Sequence, residues 1–555
     1  MTSGRILVGA LVSAAFCAVP AAMTAGCDGD GGGGGGSSGD AGSGGTIAGS
    51  GGGVPIPSSP SCASADGSRA VQKPELLYQL ADRYHEGWLA SPAVVDLDLD
   101  GQNEVLIARE ERILCFDSAG QLKWQFEMDG RVWSSPVVAN FRGDEKLEIA
   151  FAARSQIYML DASGQVMSGF PVSWEDEMRA LAAGDVDGDG GLDLVSAPGH
   201  GGVSDVMSAW HADGSQLAAF PPQTKGTSGC EADDKCYLAG CYDQNIAVGD
   251  LDGDGKQDII APHDNAYVSI HSGTGEAFDA NEMFKPNKTP GVRYLHDLAL
   301  SIQGYADDEE SALQAHFTNT APAIADIDGD GEYDVVFTGS VQNAAQTDRF
   351  KGVGLWAVHK DAARIPGWEE PFHAPDYVAG LWDPGGNIVG ITNQVSIADI
   401  DGTRPGLEMV FVGFDARIHA VGADREALWE VGYAETDDVF SAGVAIGDLS
   451  GDGIPEIVFA TYSTAEDKSA LFVLDAGGNE LWKLPLPRRG SMAVPTLGDV
   501  DGDGTVDIVV ALKDAEDKVE VARVYTVPGS KTNCLLWPTG RANYLRNGWV
   551  TSEAK

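Results

Sequence analysis

One nine-residue pattern recurs along this chain: Asp at position 1, Asp at 3, Asp at 5, Gly at 6, and Asp or Glu at 9. The first copy is Asp96, Asp98, Asp100, Gly101 and Glu104. Others are Asp185, Asp187, Asp189, Gly190 and Asp193, then Asp250, Asp252, Asp254, Gly255 and Asp258. Asp326, Asp328, Asp330, Gly331 and Asp334 follow. Nearer the C-terminus come Asp448, Ser450, Asp452, Gly453 and Glu456, and finally Asp499, Asp501, Asp503, Gly504 and Asp507. Two further copies keep the frame but are altered. Asn140, Arg142, Asp144 and Glu148 carry a cation at position 3, and Asp399, Asp401 and Glu408 have an extra residue with Thr403 at position 5. Eight units result, their starts separated by 44 residues (Asp96 to Asn140) up to 76 (Asp250 to Asp326).

Carboxylates clustered this closely repel one another unless a cation lies among them. Calcium takes six to eight oxygens at about 2.3–2.6 Å. Residues 1, 3 and 5 of a tight loop turn their carboxylates inward, and Gly at 6 permits the sharp bend. The backbone carbonyl at position 7 adds an oxygen; Gln102, Gly191, Lys256, Glu332, Ile454 and Thr505 stand there. The acid at 9 closes the shell. An EF-hand loop starts alike but closes at position 12 between helices, whereas these loops close early between strands. The six intact copies therefore predict about six calcium ions. Ligands drawn wholly from protein and repeated in every unit suit a structural metal. In the altered second unit, Arg142 is expected to put its guanidinium where the ion would be, against Asp144 and Glu148.

The flanks repeat as well. A short run of small apolar residues precedes each loop, as in Ser91-Pro92-Ala93-Val94-Val95, and a β-branched run follows, as in Ile508-Val509-Val510. Near-continuous apolar runs fit strands covered on both faces. A third run often ends in an Asp-x-x-Gly turn and a Trp: Asp117 to Gly120 before Trp124, Asp475 to Gly478 before Trp482. Each unit reads as four antiparallel strands with the Asp loop as its first connection. The expected fold is all-β, a β-propeller of eight four-stranded blades, with seven as the alternative. Pro74 to Ala81 resembles an outer strand without its blade. It can complete the last blade and close the ring, beside or instead of Leu535-Leu536-Trp537. The tail from Trp537 to Gly548 is read as a capping strand.

These loops and strands resemble FG-GAP/VCBS repeats, the family that includes the integrin α-subunit propeller and many bacterial surface proteins. The resemblance spans roughly residues 74–550. It implies a calcium-bearing propeller, often engaged in adhesion or carbohydrate contact, and no single activity.

Residues 1–26 read as an export signal, with Arg5 before an apolar stretch from Ile6 to Met23. Thr24-Ala25-Gly26-Cys27 resembles the lipobox of bacterial lipoproteins, with Thr24 where Leu is usual. Cys27 is the expected acylation site. Residues 27–70 form a Gly/Ser-rich tether, and 71–550 the propeller. With 83 Asp and Glu against 36 Lys and Arg, the net charge of −47 repels phosphate backbones and argues against nucleic acid. A monomer is expected, touching membrane through its lipid alone. Six cysteines remain after Cys17 and Cys27. A ring brings its ends together, which favours Cys62 with Cys534. Cys230, Cys236 and Cys241 lack a neighbouring His at ligand spacing, so a local disulfide is preferred over zinc.

Three consecutive units carry long insertions, around Ala197–Gln244, His263–Thr320 and Gly339–Thr392. Insertions in repeat folds gather on one face, often the binding one. Trp210, Tyr242, Tyr267, Tyr294, Tyr305, Trp356, Trp368, Tyr377 and Trp382 lie there, and most are expected to pack the insertions down. No nucleophile elbow, His-Glu-x-x-His helix or dinucleotide loop is present. His200, His211, His263, His271, His296, His316 and His373 are read as polar loop residues; a cluster of them in a central channel would favour lyase chemistry. Binding of an extracellular carbohydrate or protein is the leading reading. A polysaccharide-degrading lyase or hydrolase is the alternative. A quinone-dependent redox propeller is weaker, resting on Asp475 to Trp482, which resembles a quinoprotein turn.

Overall fold

The second strand of each repeat is where the β-branched runs lie, and these strands are buried along their whole length: Glu104–Arg109, Glu148–Ala153, Asp193–Pro198, Asp258–Pro262, Asp334–Gln342, Glu408–Val412, Glu456–Ser463 and Val506–Ala511. Stiff Val and Ile side chains pack well on a pleated surface covered from both sides. Outer strands differ. Leu122–Glu127 and Glu480–Pro485 alternate exposed and half-buried residues, as a rim strand does. A computed structural model describes residues 61–64, 67–82, 86–144, 146–174, 177–198, 207–222, 246–263, 265–284, 288–303, 313–317, 320–343, 350–378, 393–514, 520–532 and 534–550. The expectations for Cys27 and for Cys230, Cys236 and Cys241 lie outside these residues.

Among the described residues eight separate sheets follow one another along the chain, one per Asp loop; their pairings are antiparallel except that Thr320–Ala321 runs parallel to Asn393–Ala398 in blade 6. Blade 1 holds Ala93–Val95, Glu104–Arg109, Arg112–Phe116 and Leu122–Glu127 in simple meander order. The short inner strands touch their neighbours in chain order, and Thr496–Gly498 of blade 8 touches Ala93–Val95 of blade 1. The molecule is an eight-bladed β-propeller. Blades 3 and 4 depart from the four-strand expectation: among the described residues three strands are formed in each. The fourth is reduced to single bridges, Trp210 with Gln216 and His271 with Ala277. Blades 5, 6 and 7 instead gain an extra strand, Gln314–His316, Thr320–Ala321 and Val439–Ser441.

Glu75–Ala81 pairs antiparallel with Glu520–Val527 and becomes the outer strand of blade 8. The two ends of the repeat array thus share one sheet, closing the ring as expected. The Cys62–Cys534 disulfide ties the same ends a second time.

The C-terminal tail corrects an expectation. It caps no sheet. Residues 534–550 cross the axis and bond to the inner edge of every blade. Val138, Ala183, Val248 and Ile324 donate their N–H groups to the carbonyls of Tyr544, Leu545, Asn547 and Gly548 at 2.8–2.9 Å. Val94 N–H donates to the Tyr544 hydroxyl, and Gln394 Oε1 accepts from Arg541 N–H. Ile446 and Trp537 exchange both backbone bonds, and Leu497 N–H donates to Pro538. Inner strands at the axis have no sheet neighbour on that side, so their buried backbone groups need this partner.

The recurring Trp also has a defined task. Trp124 Nε1 donates to the Ala162 carbonyl in the Asp161–Gly164 turn of the next blade, and Trp429 to Ala476 in the Asp475–Gly478 turn. Trp368 reaches Ala423, and Trp482 reaches Val71. Each turn glycine is doubly constrained. Gly164 and Gly478 have φ near +80, and a Cβ on either would meet the neighbouring indole at 2.8 Å.

Antiparallel order divides the blade ends between two faces. The Asp loops lie at one end of every sheet, and the turns that join third strands to outer ones, Asp-x-x-Gly in blades 1, 2 and 7, lie at that same end. The strand ends between which the three insertions run lie at the other. Of the insertion aromatics, Trp210, Tyr267, Tyr294, Trp356 and Trp368 are buried and Tyr377 is exposed; Tyr242, Tyr305 and Trp382 lie outside the described residues.

Candidate metal centre

Each Asp loop is built the same way. The carboxylate at position 1 accepts the N–H of the glycine at position 6: Asp96 from Gly101 at 2.8 Å, Asp185 from Gly190 at 3.1 Å, Asp250 from Gly255 at 3.1 Å. Asp326, Asp448 and Asp499 do so at 2.9–3.0 Å. All six glycines have φ between 82 and 92, the left-handed turn their type allows. The carboxylate at position 5 accepts the N–H of position 7: Asp100 from Gln102, Asp189 from Gly191, Asp254 from Lys256, Asp330 from Glu332, Asp452 from Ile454 and Asp503 from Thr505.

The acid at position 9 is the buried member. In all eight units, altered ones included, one of its oxygens accepts the N–H of position 2, at 2.7–3.1 Å. Burial pushes these carboxyls upward, Asp258 and Glu456 to about 8 and Asp193, Glu408 and Asp507 to about 7. Neighbouring loop carboxylates push the same way. Asp252 and Asp250 act on Asp258, and Asp501 on Asp507. Glu408 Oε1 and Asp185 Oδ1 are buried with no hydrogen-bond partner among the described residues. Oxygens of Asp96, Asp98 and Glu104, of Asp185, Asp187 and Asp193, and of Asp250, Asp252 and Asp254 lie within 4.8 Å of one another. Calcium requires convergent hard oxygens; the clusters of blades 1, 3 and 4 each bring three together, and that of blade 3 includes Asp185, whose Oδ1 is unpartnered among the described residues.

Within this set, residues 448–510 match the family model for the FG-GAP-like repeat. The chain is a β-propeller carrying an FG-GAP-like repeat. Solved structures with a similar arrangement include the V. cholerae biofilm matrix protein Bap1, at 12% identity and TM-score 0.36 over 89% of this chain and 97% of that one. The exotype rhamnogalacturonan lyase YesX is similar at 15% identity and TM-score 0.46, over 85% and 81%. The Dos1 propeller is similar at 11% identity and TM-score 0.39, over 81% and 96%. No curated protein matches the chain.

The Asp loop of blade 7 is covered. Arg69 N–H donates to the Ser450 carbonyl and its Nη1 to the Gly451 carbonyl, both at 2.8 Å. Gly453 lies so near that a Cβ would meet Ser64 N at 2.7 Å. Asp448 and Ser450 are accordingly buried, whereas Asp98 and Asp100 in blade 1 are exposed.

Three loops receive a basic side chain, which loop spacing alone does not reveal. Lys123 Nζ lies 2.8 Å from both Asp98 Oδ2 and Glu104 Oε1, at positions 3 and 9 of blade 1. His211 Nδ1 lies 3.0 Å from Asp193 Oδ1, and His359 Nδ1 lies 2.9 Å from Asp334 Oδ1. Both histidines occupy the turn position that Asp117 and Asp475 hold elsewhere, as their matching backbone bonds show. The expectation for Arg142 is overturned. Its guanidinium turns out of the loop to the Ser168 and Ala212 carbonyls, at 2.9 and 3.1 Å, bridging to the next blade. Glu148 is already held by Phe141 N–H, and the carbonyls offer the cation directional acceptors.

Proposed function

We propose that this chain is an exported, lipid-anchored binding module. In this reading calcium fills the open Asp loops, Cys27 carries the lipid, and the glycine-rich segment holds the propeller away from a membrane. Ligand contact is assigned to the face opposite the Asp loops, and an extracellular carbohydrate or protein is the ligand class.

The observation that carries the reading is an exposed aromatic pair on that face. Phe350 and Tyr377 stack with ring centroids 4.9 Å apart while remaining 49% and 39% exposed. Two stacked, solvated rings leave apolar area that a sugar face or a protein hot spot can cover. They stand where an inserted connection meets Val353–His359 and Phe372–Ala374 of blade 5. Two further features agree. The axis is filled by the tail, and His263, His271 and His316 are buried in or beside blade strands. The Cys62–Cys534 disulfide fits an oxidising compartment.

A glycan array probed with the intact ectodomain, with and without chelator, tests this. Binding is expected with calcium and should fall at least tenfold in the double variant Phe350→Ala/Tyr377→Ala. Release of unsaturated sugar products, or binding indifferent to both rings, would count against a pure binding role.

A further inference from the structure

Two guanidinium groups lie on the axis of the ring, and among the described residues no carboxylate is bonded to either. Arg541 is 2% exposed and Arg546 is 1% exposed. The tail that delivers them is left-handed at Arg541, Ala542 and Arg546, with φ of 69, 69 and 56. Such conformations persist when surrounding contacts over-determine them, here the bonds to the blades.

Arg546 is surrounded by neutral acceptors. Its Nε donates to the Pro136 carbonyl at 3.0 Å, its Nη1 to Gly540 at 2.8 Å and to Thr539 Oγ1 at 2.7 Å, and its Nη2 to Pro92 at 2.8 Å. Those dipoles solvate the cation without cancelling its charge. Arg541 is less complete. Its Nη1 donates to the Pro322 carbonyl at 2.9 Å, while its buried Nη2 has no partner among the described residues. Burial and then the like charge of Arg546 push Arg541 down to about 9. Burial brings Arg546 to about 9, with Tyr544 acting the other way. Both therefore remain charged at neutral pH. A pair of like charges taken from water without a counterion is strongly disfavoured.

We propose that a small monovalent anion of halide type binds on the propeller axis against Arg541 Nη2 and completes the tail plug. It would take the orphaned N–H donor and offset the paired positive charge. The surroundings are crowded, which excludes a polyatomic anion. Gly548 adjoins this nitrogen, and a Cβ there would already meet it at 3.3 Å and the Pro322 carbonyl at 2.6 Å. The neighbouring polar groups Gln394, Asn543 and Asn547 are engaged with Arg541 N–H and with one another. This site is separate from the Asp loops and from the proposed ligand face.

Crystals of the whole propeller grown in sodium bromide, measured at the bromine edge, test the proposal. An anomalous peak within hydrogen-bonding reach of Arg541 Nη2 is expected. A water alone at that position, or bromide confined to the surface, overturns it. In solution the melting temperature should be higher in sodium bromide than in sodium gluconate at equal ionic strength, because a ligand of the folded state stabilises it. Arg541→Met should remove that difference. Identical wild-type melting in the two salts overturns the proposal too. Should Arg541→Met not fold, the wild-type anomalous map decides.

Discussion

Lys123 Nζ lies 2.8 Å from Glu104 Oε1, the buried acid that closes the first Asp loop, and equally close to Asp98. It reaches there because it falls at a bulge: the pairing of Arg112–Phe116 with Leu122–Glu127 slips between Cys115 and Phe116. The same bulge in blades 6 and 7 holds Leu428 and Leu481. An ammonium on the carboxylates of positions 3 and 9 competes directly with a divalent ion. Lys123→Gln is therefore expected to bind one more tightly held calcium per molecule than wild type. Mass-spectrometric metal counting after desalting reads this; equal counts would mean that calcium displaces the lysine unaided.

The raised acids predict how metal-free protein responds to pH. A carboxyl with a higher pKa folded than unfolded binds more protons in the folded state, so stability falls as pH rises between the two values. Asp258 and Glu456 lie near 8 folded, and Asp193, Glu408 and Asp507 near 7, against about 4 in an unfolded chain. In EDTA the melting temperature should drop steadily from about pH 4 to pH 8. Saturating calcium should flatten or reverse that slope, since the ion favours the ionised acids. Calorimetry across this range, with and without calcium, is the check.

The disulfide Cys62–Cys534 spans 472 residues of chain. Closing so long a loop restricts the unfolded ensemble, a contribution of up to about 5 kcal/mol. Cys62→Ser, Cys534→Ser and the double variant should be destabilised equally, because one bond is lost in each. Chemical denaturation measures this. The cover over blade 7 should loosen as well, seen as faster amide exchange at Ser450 and Gly451.

Trp537 is wholly buried where the tail meets blade 7. Trp537→Ala should cost about 3–5 kcal/mol. Because the tail touches every inner strand, proteolytic sensitivity is expected to rise around the whole ring rather than in blade 7 alone. Limited proteolysis with peptide mapping distinguishes the two.

Much of the architecture was legible because its signals are local. The Asp spacing, the glycine at position 6 and the β-branched run after it are each set by neighbours a few residues away, so they place eight units and their first connections. The stray strand at Glu75–Ala81 was legible for a related reason: an outer strand without a blade has one vacancy to fill. Blades 3 and 4 were misjudged, since a fourth strand shortened to one bridge leaves its turn residues in place.

Tertiary structure alone decided the rest. Whether a loop's carboxylates face a basic group of the protein's own depends on Lys123, His211 and His359, which approach from elsewhere in the blade. Arg142 left its loop because carbonyls of Ser168 and Ala212, 26 and 70 residues away, offered better partners. The tail's passage along the axis follows from backbone groups that only a closed ring brings together. Local turn chemistry is written in consecutive residues; the partner of a buried charge is set by which distant segments the ring makes adjacent.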